Sequence, residues 1–534
     1  MVPQTGAYER LCAAFRWQIP SRYNMAVHAC DGWAQRDPDR PALFVKGAAG
    51  FAPLSYGTLA AASNQLARAL ARRGVERGDR VAILVPQSPE ALISHLAVYK
   101  LGAVAVPLAA VFGTDAIAYR LTDSGAKALI TDAQGAAKLP TRPPTLDLVV
   151  CVDGAGPGLD GFAAIRSVER ADPIAVDTGP DDPALMIYTS GTTGQPKGAL
   201  HGHRVLLAHI AGQAFTHDGF PQPGDRMWTP SDWAWAGGLL NTLLPALAVG
   251  VPAVVQPAGK FDPEAAFALM AEAGVRNVFI PPTALKMMRA VERPRARFGF
   301  DLRTVGSAGE ALGAETFAWG REALGVPVNE FYGQTECNYV IGSSAALGVA
   351  RAGATGKPLP GHDVAVLRPD GTACGVDEMG QIAVRAPDPV MFLSYWNRPE
   401  ATADKFQGDF LLTGDLARVD SDGYVHFLGR DDDVITSAGY RIGPSEIEDC
   451  LLGHPAVALA AVVGKPDPLR TEIVKAFLVL REGFAPSDAL AADIQARVRH
   501  NLAGYEYPRE IVFLDELPMT STGKVIRRQL RDHG

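Results

Sequence analysis

The order of apolar and polar positions predicts alternating strands and helices through most of the chain. Residues 80–85 form a short apolar run typical of a buried strand, and residues 89–101 have the period of a helix that a proline opens. A second apolar run at 103–107 predicts the next strand, and the same order recurs over 275–310. Because strand–helix–strand units build parallel sheets covered by helices, the pattern predicts an α/β fold with large, layered, parallel-rich sheets.

The pattern changes near Arg430, which predicts a domain boundary. Beyond three consecutive aspartates, the periodicity indicates a small α+β unit with strands at 457–463, 472–480 and 511–514 and a helix at 487–502. An alanine- and glycine-rich stretch at 134–166 predicts a loose surface excursion. We therefore expect a large α/β domain over 1–429, a solvated hinge at 430–432 and a small α+β domain over 433–534.

Composition and charge limit the range of functions that the protein could have. A chain of 534 residues is long enough for more than one domain, and its net charge of −8 gives no support to a nucleic-acid partner. Six cysteines are scattered without metal-ligand or disulfide spacing, which fits a reducing, cytoplasmic compartment. The N-terminus lacks the apolar core of a signal peptide. The most apolar stretch, 239–256, contains prolines and polar residues that favour a buried helix and strand over a membrane span.

One loop carries the strongest chemical signal in the chain. Directly after the apolar segment 184–188, it combines hydroxyl residues and glycines with a single lysine. Glycines let backbone N–H groups approach an anion, hydroxyls donate to phosphate oxygens, and the lysine adds a positive charge. A glycine follows the lysine where a P-loop needs a hydroxyl residue, so this is a different phosphate loop. Its candidate residues are Thr189, Ser190, Gly191, Thr192, Thr193, Gly194 and Lys197.

A second cluster combines an aromatic ring, polar donors and a carboxylate. Tyr332 can stack on a base, Gln334 and Thr335 can donate to polar atoms, and Glu336 is a carboxylate able to hold Mg²⁺. The whole candidate ATP-binding segment is Glu330, Phe331, Tyr332, Gly333, Gln334, Thr335 and Glu336.

Three further charges complete a candidate nucleotide site. Asp415 offers a carboxylate that can accept both hydroxyls of a ribose, and Arg430 offers a guanidinium that can bridge the ribose or the α-phosphate. Lys524 lies in a glycine- and threonine-containing segment near the C-terminus. A carboxylate that attacks a phosphate brings two anions together, so a positive charge between them is needed.

In order and spacing, these segments resemble the motifs of the adenylate-forming superfamily, which comprises acyl-CoA synthetases, peptide-synthetase adenylation domains and luciferases. The resemblance implies that a carboxylic acid and ATP give acyl-AMP and pyrophosphate, and that a thiol then attacks the acyl-AMP. It implies Mg²⁺ bound by Glu336, and a mobile small domain with a hinge at Asp432. By the same match, Gly309 and Glu310 wall the adenine pocket, and the catalytic residues are Thr189, Lys197, Glu336 and Lys524.

The C-terminal region is most similar to medium-chain acyl-CoA synthetases, which implies CoA as the acceptor. Arginines suit this phosphate-rich ligand because they bind phosphate in a bidentate geometry. The matched CoA-binding positions are Ser437, Ala438, Gly439, Tyr440, Arg441, Arg470, Arg499, Tyr507, Pro508 and Arg509.

The resemblance also implies an acyl pocket for the acid. Acetate-specific members carry a tryptophan at the position of Gly333, so we expect the glycine to leave an indole's volume free. An apolar acid of short or medium chain length, branched or cyclic, would then fit. Ala236 stands where amino-acid-activating members carry an aspartate, so an ammonium group would lack a counter-charge. The expected pocket residues are Trp233, Trp235, Ala236, Gly237, Ala308 and Gly333.

The sequence disfavours four other functions. A stand-alone adenylation enzyme that loads a carrier protein is disfavoured because no carrier domain follows before Gly534. A non-catalytic nucleotide or acyl-CoA sensor is disfavoured because every charged residue assigned to the chemistry is present. Luciferase-like oxidation is disfavoured because the resemblance lies elsewhere, and an esterase because no G-x-S-x-G elbow occurs. A homodimer, and a lysine acetyltransferase that acts on Lys524, stay open.

Overall fold

The computed structural model describes residues 6–139, 141–189, 195–256, 259–437, 440–467, 470–502, 506–520 and 524–532. Within these residues the strands are β1 (Pro41–Gly47), β2 (Gly50–Ser55), β3 (Arg80–Leu84), β4 (Val104–Pro107), β5 (Ala128–Thr131), β6 (Leu148–Cys151), β7 (Asp160–Gly161), β8 (Pro183–Tyr188), β9 (Gly198–Gly202), β10 (Met227–Trp228), β11 (Ala253–Val254), β12 (Asn277–Phe279), β13 (Thr304–Ser307), β14 (Val328–Gln334), β15 (Cys337–Gly342), β16 (Lys357–Pro358), β17 (Val364–Leu367), β18 (Gly380–Arg385), β19 (Ser394–Tyr395), β20 (Phe406–Gln407), β21 (Phe410–Val419), β22 (Val425–Arg430), β23 (Ile435–Ser437), β24 (Tyr440–Ile442), β25 (Val457–Asp467), β26 (Thr471–Leu480) and β27 (Glu510–Phe513).

The α-helices of the same residues are α1 (Ala7–Ala14), α2 (Gly32–Arg36), α3 (Tyr56–Arg72), α4 (Pro89–Lys100), α5 (Thr114–Ser124), α6 (Ala133–Ala137), α7 (Phe162–Ser167), α8 (Val205–Thr216), α9 (Ala236–Gly238), α10 (Leu244–Ala248), α11 (Pro263–Glu272), α12 (Pro282–Met288), α13 (Pro294–Phe298), α14 (Ala314–Trp319), α15 (Pro399–Ala403), α16 (Pro444–Leu452), α17 (Asp488–Asn501) and α18 (Arg527–Arg531). Wider or tighter helical turns occupy Val27–Asp31, Leu239–Leu243, Gly320–Leu324, Ala345–Leu347 and Asp431–Asp433. None of the helices in the described residues is long and apolar enough to span a membrane.

Strands β3 and β4 and the helix between them show how local sequence sets the architecture. The apolar run of β3 is buried after its first residue, and β4 is buried throughout. Ser88 caps α4 by accepting a hydrogen bond from the Ala91 N–H. Pro89 occupies the first turn, where its missing N–H would have no helical partner. The two strands pair in parallel, as the strand–helix–strand pattern predicts.

Two large sheets dominate the N-terminal part of the chain. One runs in the order β2-β1-β11-β10-β12-β13-β14-β15-β16 and is parallel from β1 to β14. The other runs in the order β7-β6-β5-β3-β4-β8-β9-β19 and is parallel from β7 to β8. Helices α3 and α4 contribute to one buried apolar cluster with strands of both sheets. The predicted layered, parallel-rich α/β fold is confirmed.

Two smaller sheets follow these. An antiparallel sheet, β17-β18-β21-β20 with β22 added on β21, ends at Arg430. The last sheet, β24-β23-β26-β25 with β27 parallel to β26, has its own buried cluster around Ile435, Ile447, Val462 and Leu478. The C-terminal part is thus a smaller α+β unit, as predicted. The exact boundaries at 429 and 433 stay a prediction.

One local expectation was wrong, and three elements were not predicted. Residues 134–166, predicted as a loose excursion, contain all of β6 and β7 and most of α6 and α7, and β6 pairs in parallel with β5. Val149 and Val150 of β6 are buried. The strand was missed because its short apolar run does not stand out among the small residues around it. Strands β23 and β24 and helix α16 were not predicted either, because each is short and begins beside a glycine, a proline or an aspartate cluster.

The aspartate cluster before β23 is only partly solvated. Asp433 is 9% exposed, and its carboxylate accepts hydrogen bonds from Arg531 at 2.5 Å and Arg527 at 3.5 Å. The last aspartate of the cluster, directly after the expected hinge at 430–432, is therefore anchored to α18. The Asp432 side chain lies outside what the structure describes, so its hinge role stays a prediction.

Candidate active site

The candidate phosphate-binding loop connects β8 to its antiparallel partner β9. The register pairs Tyr188 with Gly198, and the Thr189 N–H donates to the Lys197 carbonyl at 2.9 Å. The two ends of the loop thus face each other at the carboxyl end of a buried strand, where α/β sheets commonly bind ligands. The loop residues between them, whose phosphate-binding role stays a prediction, lie outside the described residues: Ser190, Gly191, Thr192, Thr193 and Gly194.

Lys197 and Glu336 meet at Tyr395, a residue that no sequence motif indicated. Lys197 Nζ lies 5.1 Å from the centre of the Tyr395 ring, and the Tyr395 hydroxyl donates a short hydrogen bond to Glu336 Oε1. Tyr395 belongs to β19, which pairs with β9 and so lies beside Lys197. Glu336 is 7% exposed, and its backbone carbonyl accepts from the Phe392 N–H at 2.8 Å. Two predicted catalytic residues therefore share one cluster.

Tyr332, Gln334 and Asp415 form a second polar cluster. The Tyr332 hydroxyl donates to Asp415 Oδ2 at 2.5 Å, and Gln334 Nε2 approaches the same oxygen at 3.4 Å. Lys405, which the sequence did not indicate, donates to Gln334 Oε1 at 3.2 Å. Arg430 lies directly opposite Asp415 in the antiparallel register of β21 and β22. Tyr332 and Gln334 of β14 therefore converge on the Asp415 carboxylate of β21, and Lys405 extends this cluster through Gln334.

Lys524 reaches this region from the small domain. Its Cε lies 3.6 Å from the point that a Cβ on Gly309 would occupy. Burial raises the pKa of Asp415, whereas the Tyr332 hydroxyl and the positive charges of Arg430 and Lys524 act to lower it. The Lys524 ammonium group is thus close enough to influence the same carboxylate. Glu310, which follows Gly309 and is also predicted to wall the adenine pocket, is held by a hydrogen bond as well.

Glu310 and Phe331 contact the protein interior with their side chains. Glu310 Oε2 accepts a hydrogen bond from the Thr283 hydroxyl at 2.8 Å. The Phe331 ring is 2% exposed and stacks on Tyr339 with ring centroids 4.1 Å apart. Any contact of Phe331 with ATP is therefore left to its backbone atoms, and its assignment to the nucleotide site stays a prediction.

Glu330 is a buried acid whose side chain is likewise directed inward. Its Oε1 accepts from the Leu312 N–H at 3.1 Å. Burial and the nearby charge of Asp449 raise the pKa of Glu330 from 4.5 to about 7, against the opposing effects of the Leu312 N–H and Lys286. The folded protein therefore binds this proton more tightly than the unfolded chain does. The resulting stabilisation is present at low pH and is lost as the pH rises from 4.5 through about 7.

Glu330→Gln should remove this pH dependence. Between pH 5 and pH 8, we expect the free energy of unfolding of the unmodified protein to fall by about 2–3 kcal/mol relative to that of the variant, since glutamine cannot ionise. Urea unfolding at each pH measures the difference. Glu292→Gln, at an exposed position of the same domain, is the matched control and should follow the unmodified protein. If the free energy of unfolding changed with pH in the same way in Glu330→Gln and in the unmodified protein, the prediction would be contradicted.

The space in front of Gly333 is filled. A Cβ at this position would lie 2.4 Å from the Tyr339 backbone nitrogen and 2.6 Å from Asn338 Cα. The expectation that the glycine leaves an indole's volume free is therefore wrong. The reason is that β15 folds back so closely on β14 that only glycine fits, and this contact involves a strand that follows in the chain.

Gly237 and Ala308 adjoin an aromatic wall. A Cβ on Gly237 would lie 2.8 Å from the Phe279 ring, and Ala308 packs in one buried cluster with Phe279, Phe331 and Tyr339. The ring centroids of Phe279 and Phe331 are 5.5 Å apart. These two predicted pocket residues are thus brought together in front of large, buried rings.

The tryptophans expected to line the pocket differ in their surroundings. Trp233 is 3% exposed and packs inside the apolar cluster between the two large sheets. Its side chain therefore mainly holds the neighbouring stretch of chain in place. Trp235 is half-buried and meets Phe112 edge to face at 5.6 Å, and Ala236 follows it at the start of α9. Trp235 is the one of the two that keeps a partly open face. The pocket roles of all three stay predictions.

The predicted CoA-binding residues form two groups on the small domain. In one, Arg499 and Arg509 lie over the Tyr507 ring at 4.2 and 5.1 Å from its centre, a positive patch suited to phosphate. Pro508, which lies between Tyr507 and Arg509 in the sequence, is buried, and its carbonyl accepts a hydrogen bond from Gln495 at 3.0 Å.

The second group surrounds the hairpin of β23 and β24. Ser437 pairs with Tyr440 in this hairpin and with Thr471 at the start of β26, and the Arg470 N–H donates to Asp467 at 2.9 Å. The remaining predicted members, Ala438, Gly439 and the side chain of Arg441, lie outside the described residues.

Comparison with known sequences matches both parts of the chain to one family. The AMP-binding enzyme profile matches residues 30–396, and the AMP-binding enzyme C-terminal domain profile matches residues 446–524. The chain is 35% identical to acetyl-coenzyme A synthetase of Bacillus subtilis (strain 168), covering 96% of this chain and 90% of that protein. It is 32% identical to the human mitochondrial acyl-coenzyme A synthetase ACSM4, covering 96% and 91%.

Solved structures agree with these matches. The anthranilate CoA ligase AuaEII in complex with anthranoyl-AMP has a TM-score of 0.89 and 29% identity, covering 96% of this chain and 98% of that chain. The Brucella canis acyl-CoA synthetase has a TM-score of 0.77 and 33% identity, covering 98% of each. The chain therefore belongs to the AMP-binding enzyme family, within which it is an acyl-CoA synthetase, that is, an AMP-forming carboxylic acid–CoA ligase.

Proposed function

We propose that this ligase activates a compact apolar carboxylic acid at a site formed by both domains, with Lys524 acting in the first of two steps. The observation that carries the proposal is the approach of Lys524 to Gly309 and Asp415 from the small domain. In the proposed mechanism its ammonium group stands between the acid's carboxylate and the α-phosphate of ATP. There it offsets the repulsion of two anions as they react.

The first step joins the acid to AMP. A carboxylate oxygen attacks the α-phosphorus, and the bond to the β-phosphate breaks so that pyrophosphate leaves. Lys197, on the phosphate loop, stabilises charge on the other side of the triphosphate from Lys524. Asp415 accepts the ribose hydroxyls, and the hydrogen bonds from Tyr332 and Gln334 fix its orientation.

The second step transfers the acyl group to CoA. The thiolate sulfur attacks the carbonyl carbon of acyl-AMP, the carbon–oxygen bond to AMP breaks, and AMP leaves with that electron pair. The Arg499–Tyr507–Arg509 patch would bind the phosphates of CoA through its guanidinium groups. Lys524 has no task in this step, because no phosphate is attacked.

Mg²⁺ fits the residues around Glu336. The Tyr395 hydroxyl binds Oε1, which leaves the second carboxylate oxygen as the hard ligand that Mg²⁺ prefers. The part of the chain that the structure describes contains no group of three or more acidic, histidine or cysteine side chains suited to a metal. One carboxylate together with substrate phosphates and water suits Mg²⁺ better than a protein cage does. When bound, the ion would neutralise charge on the triphosphate.

The surroundings of the predicted acyl pocket support a compact apolar acid. Gly237 and Ala308 lie against Phe279 and its neighbouring rings, which are buried and packed. Each CH₂ of a substrate that packs here adds about 0.8 kcal/mol of binding until the aromatic wall is reached. Ala236 offers no counter-charge for an ammonium group. Short, branched or single-ring acids therefore suit the site better than long chains do.

A panel of acids tests this proposal. Pyrophosphate release and acyl-CoA formation are measured with acetate, butyrate, isobutyrate, benzoate, octanoate and palmitate at fixed ATP and CoA. We expect turnover with the compact apolar acids and little with palmitate. Pyrophosphate release without acyl-CoA would favour a carrier-protein loader, and the absence of acid-dependent release would favour a nucleotide or acyl-CoA sensor.

Three finer assignments belong to the same proposal. Cytoplasmic location is supported by six free cysteine thiols. A homodimer is proposed from family resemblance alone, and size determination in solution tests it. Acetylation of Lys524 by a lysine acetyltransferase would remove the charge that the first step uses, and should therefore stop acyl-AMP formation.

A further inference from the structure

The small domain supplies the N-terminal cap of a helix in the large domain. Helix α14 begins at Ala314, and Gly313 before it has no side chain that could accept a hydrogen bond from the first free N–H groups. Asp449 of α16 provides this acceptor, because its Oδ2 accepts from the Ala314 N–H at 2.9 Å. Its Oδ1 is buried and has no hydrogen-bond partner among the described residues, so the bond to Ala314 is the polar contact that holds the carboxylate.

Gly313 is required for this contact. Its φ of 79° lies in the region that favours glycine, and a Cβ there would lie 2.2 Å from Asp449 Oδ1. On its other side, the Leu312 N–H donates to Glu330 Oε1 at 3.1 Å. One carboxylate from each domain therefore accepts a hydrogen bond from the N–H group of a residue next to Gly313.

The segment held in this way leads directly to the candidate nucleotide site. Gly309 lies at one end of residues 309–314 and is approached by Lys524, while Asp449 binds the other end. Both contacts come from the small domain. The hydrogen bond of Asp449 therefore fixes the small domain at the segment against which Lys524 is placed.

We propose that Asp449 is a positioning residue for acyl-AMP formation, docking the small domain through Ala314 so that Lys524 reaches the reacting carboxylate and phosphate. The inference rests on the proposed function of Lys524. Because thiol attack on acyl-AMP does not use Lys524, loss of this contact should affect only the first half-reaction. A residue that merely stabilised the fold would affect both.

The test measures the two half-reactions separately in Asp449→Ala, Asp449→Asn and Asp488→Ala. Acid-dependent exchange of labelled pyrophosphate into ATP reports the first, and CoA added to synthetic acyl-AMP reports the second. We expect Asp449→Ala to slow the exchange by about 10- to 100-fold, the range for a lost hydrogen bond to a charged group, with the second half-reaction unchanged. Asp449→Asn keeps an oxygen that can accept from Ala314, so its exchange should stay within about threefold of the unmodified enzyme.

Asp488→Ala is the matched control, since Asp488 is an exposed aspartate of the same domain. Equal exchange rates in Asp449→Ala and Asp488→Ala would overturn the inference and leave the proposed function standing. Equal slowing of both half-reactions in Asp449→Ala at an unchanged Tm would overturn it too, as would an asparagine variant as slow as the alanine variant. Absence of acid-dependent exchange in the unmodified enzyme would overturn the proposed function itself.

Discussion

Lys524→Ala should lower the rate of acyl-AMP formation by about two to four orders of magnitude, the scale of one charge contact made in the transition state. The reason is that the acid's carboxylate and the α-phosphate approach each other as anions, and alanine leaves their repulsion uncompensated. The rate of thioester formation from synthetic acyl-AMP should stay near that of the unmodified enzyme. Pyrophosphate exchange and CoA acylation, measured separately, give the two rates.

The control for this experiment is Lys260→Ala, which removes an exposed positive charge from the large domain. It should leave both half-reactions unchanged and so exclude an effect of net charge. Equal loss of both half-reactions in a folded Lys524→Ala protein would contradict the role assigned to the lysine. A normal rate of exchange would contradict it as well.

Gly333→Ala should destabilise the protein and impair every acid alike. The added Cβ would lie 2.4 Å from the Tyr339 nitrogen, so the β14–β15 hairpin must open, which we expect to lower the free energy of unfolding by at least about 1–3 kcal/mol. Because Tyr332 and Gln334 flank this position and bind Asp415, the KM for ATP should rise as well. Urea unfolding, the KM for ATP and kcat/KM across the acid panel measure these effects.

Gly47→Ala is the matched glycine control. A Cβ there would meet only the Gly50 carbonyl oxygen at 3.6 Å, an ordinary contact, so stability and activity should hardly change. The competing expectation is that Gly333 faces an open acyl pocket. Unchanged stability in Gly333→Ala, together with a shift of preference towards shorter acids, would support that expectation and contradict the structure-based one.

Elements with strong local signals were predictable from the sequence. The apolar run of β3 and the proline-opened, serine-capped α4 carry their own information, and both formed close to the predicted bounds. The apolar segment at 184–188, before the candidate phosphate-binding loop, likewise forms strand β8. Such features depend on neighbouring residues, so a single sequence suffices to indicate them.

Contacts between distant segments were not predictable. Tyr395 binds Glu336, and Lys405 binds Gln334, only because β19 and β20 are placed beside the site by sheet pairing. The filled space at Gly333 likewise depends on how closely β15 approaches β14. The cap that Asp449 provides joins two domains. In each case the decisive neighbour is set by tertiary structure, and no local pattern encodes it.

The most direct test of the central claim follows an oxygen atom from the acid into AMP. The enzyme is incubated with ATP, CoA and an acid whose carboxylate carries ¹⁸O, and the products are analysed by mass spectrometry. Formation of acyl-AMP followed by thiol attack predicts acyl-CoA together with AMP that has gained one acid-derived oxygen, and unlabelled pyrophosphate. ADP together with labelled phosphate, or acyl-CoA formed with unlabelled AMP, would contradict it.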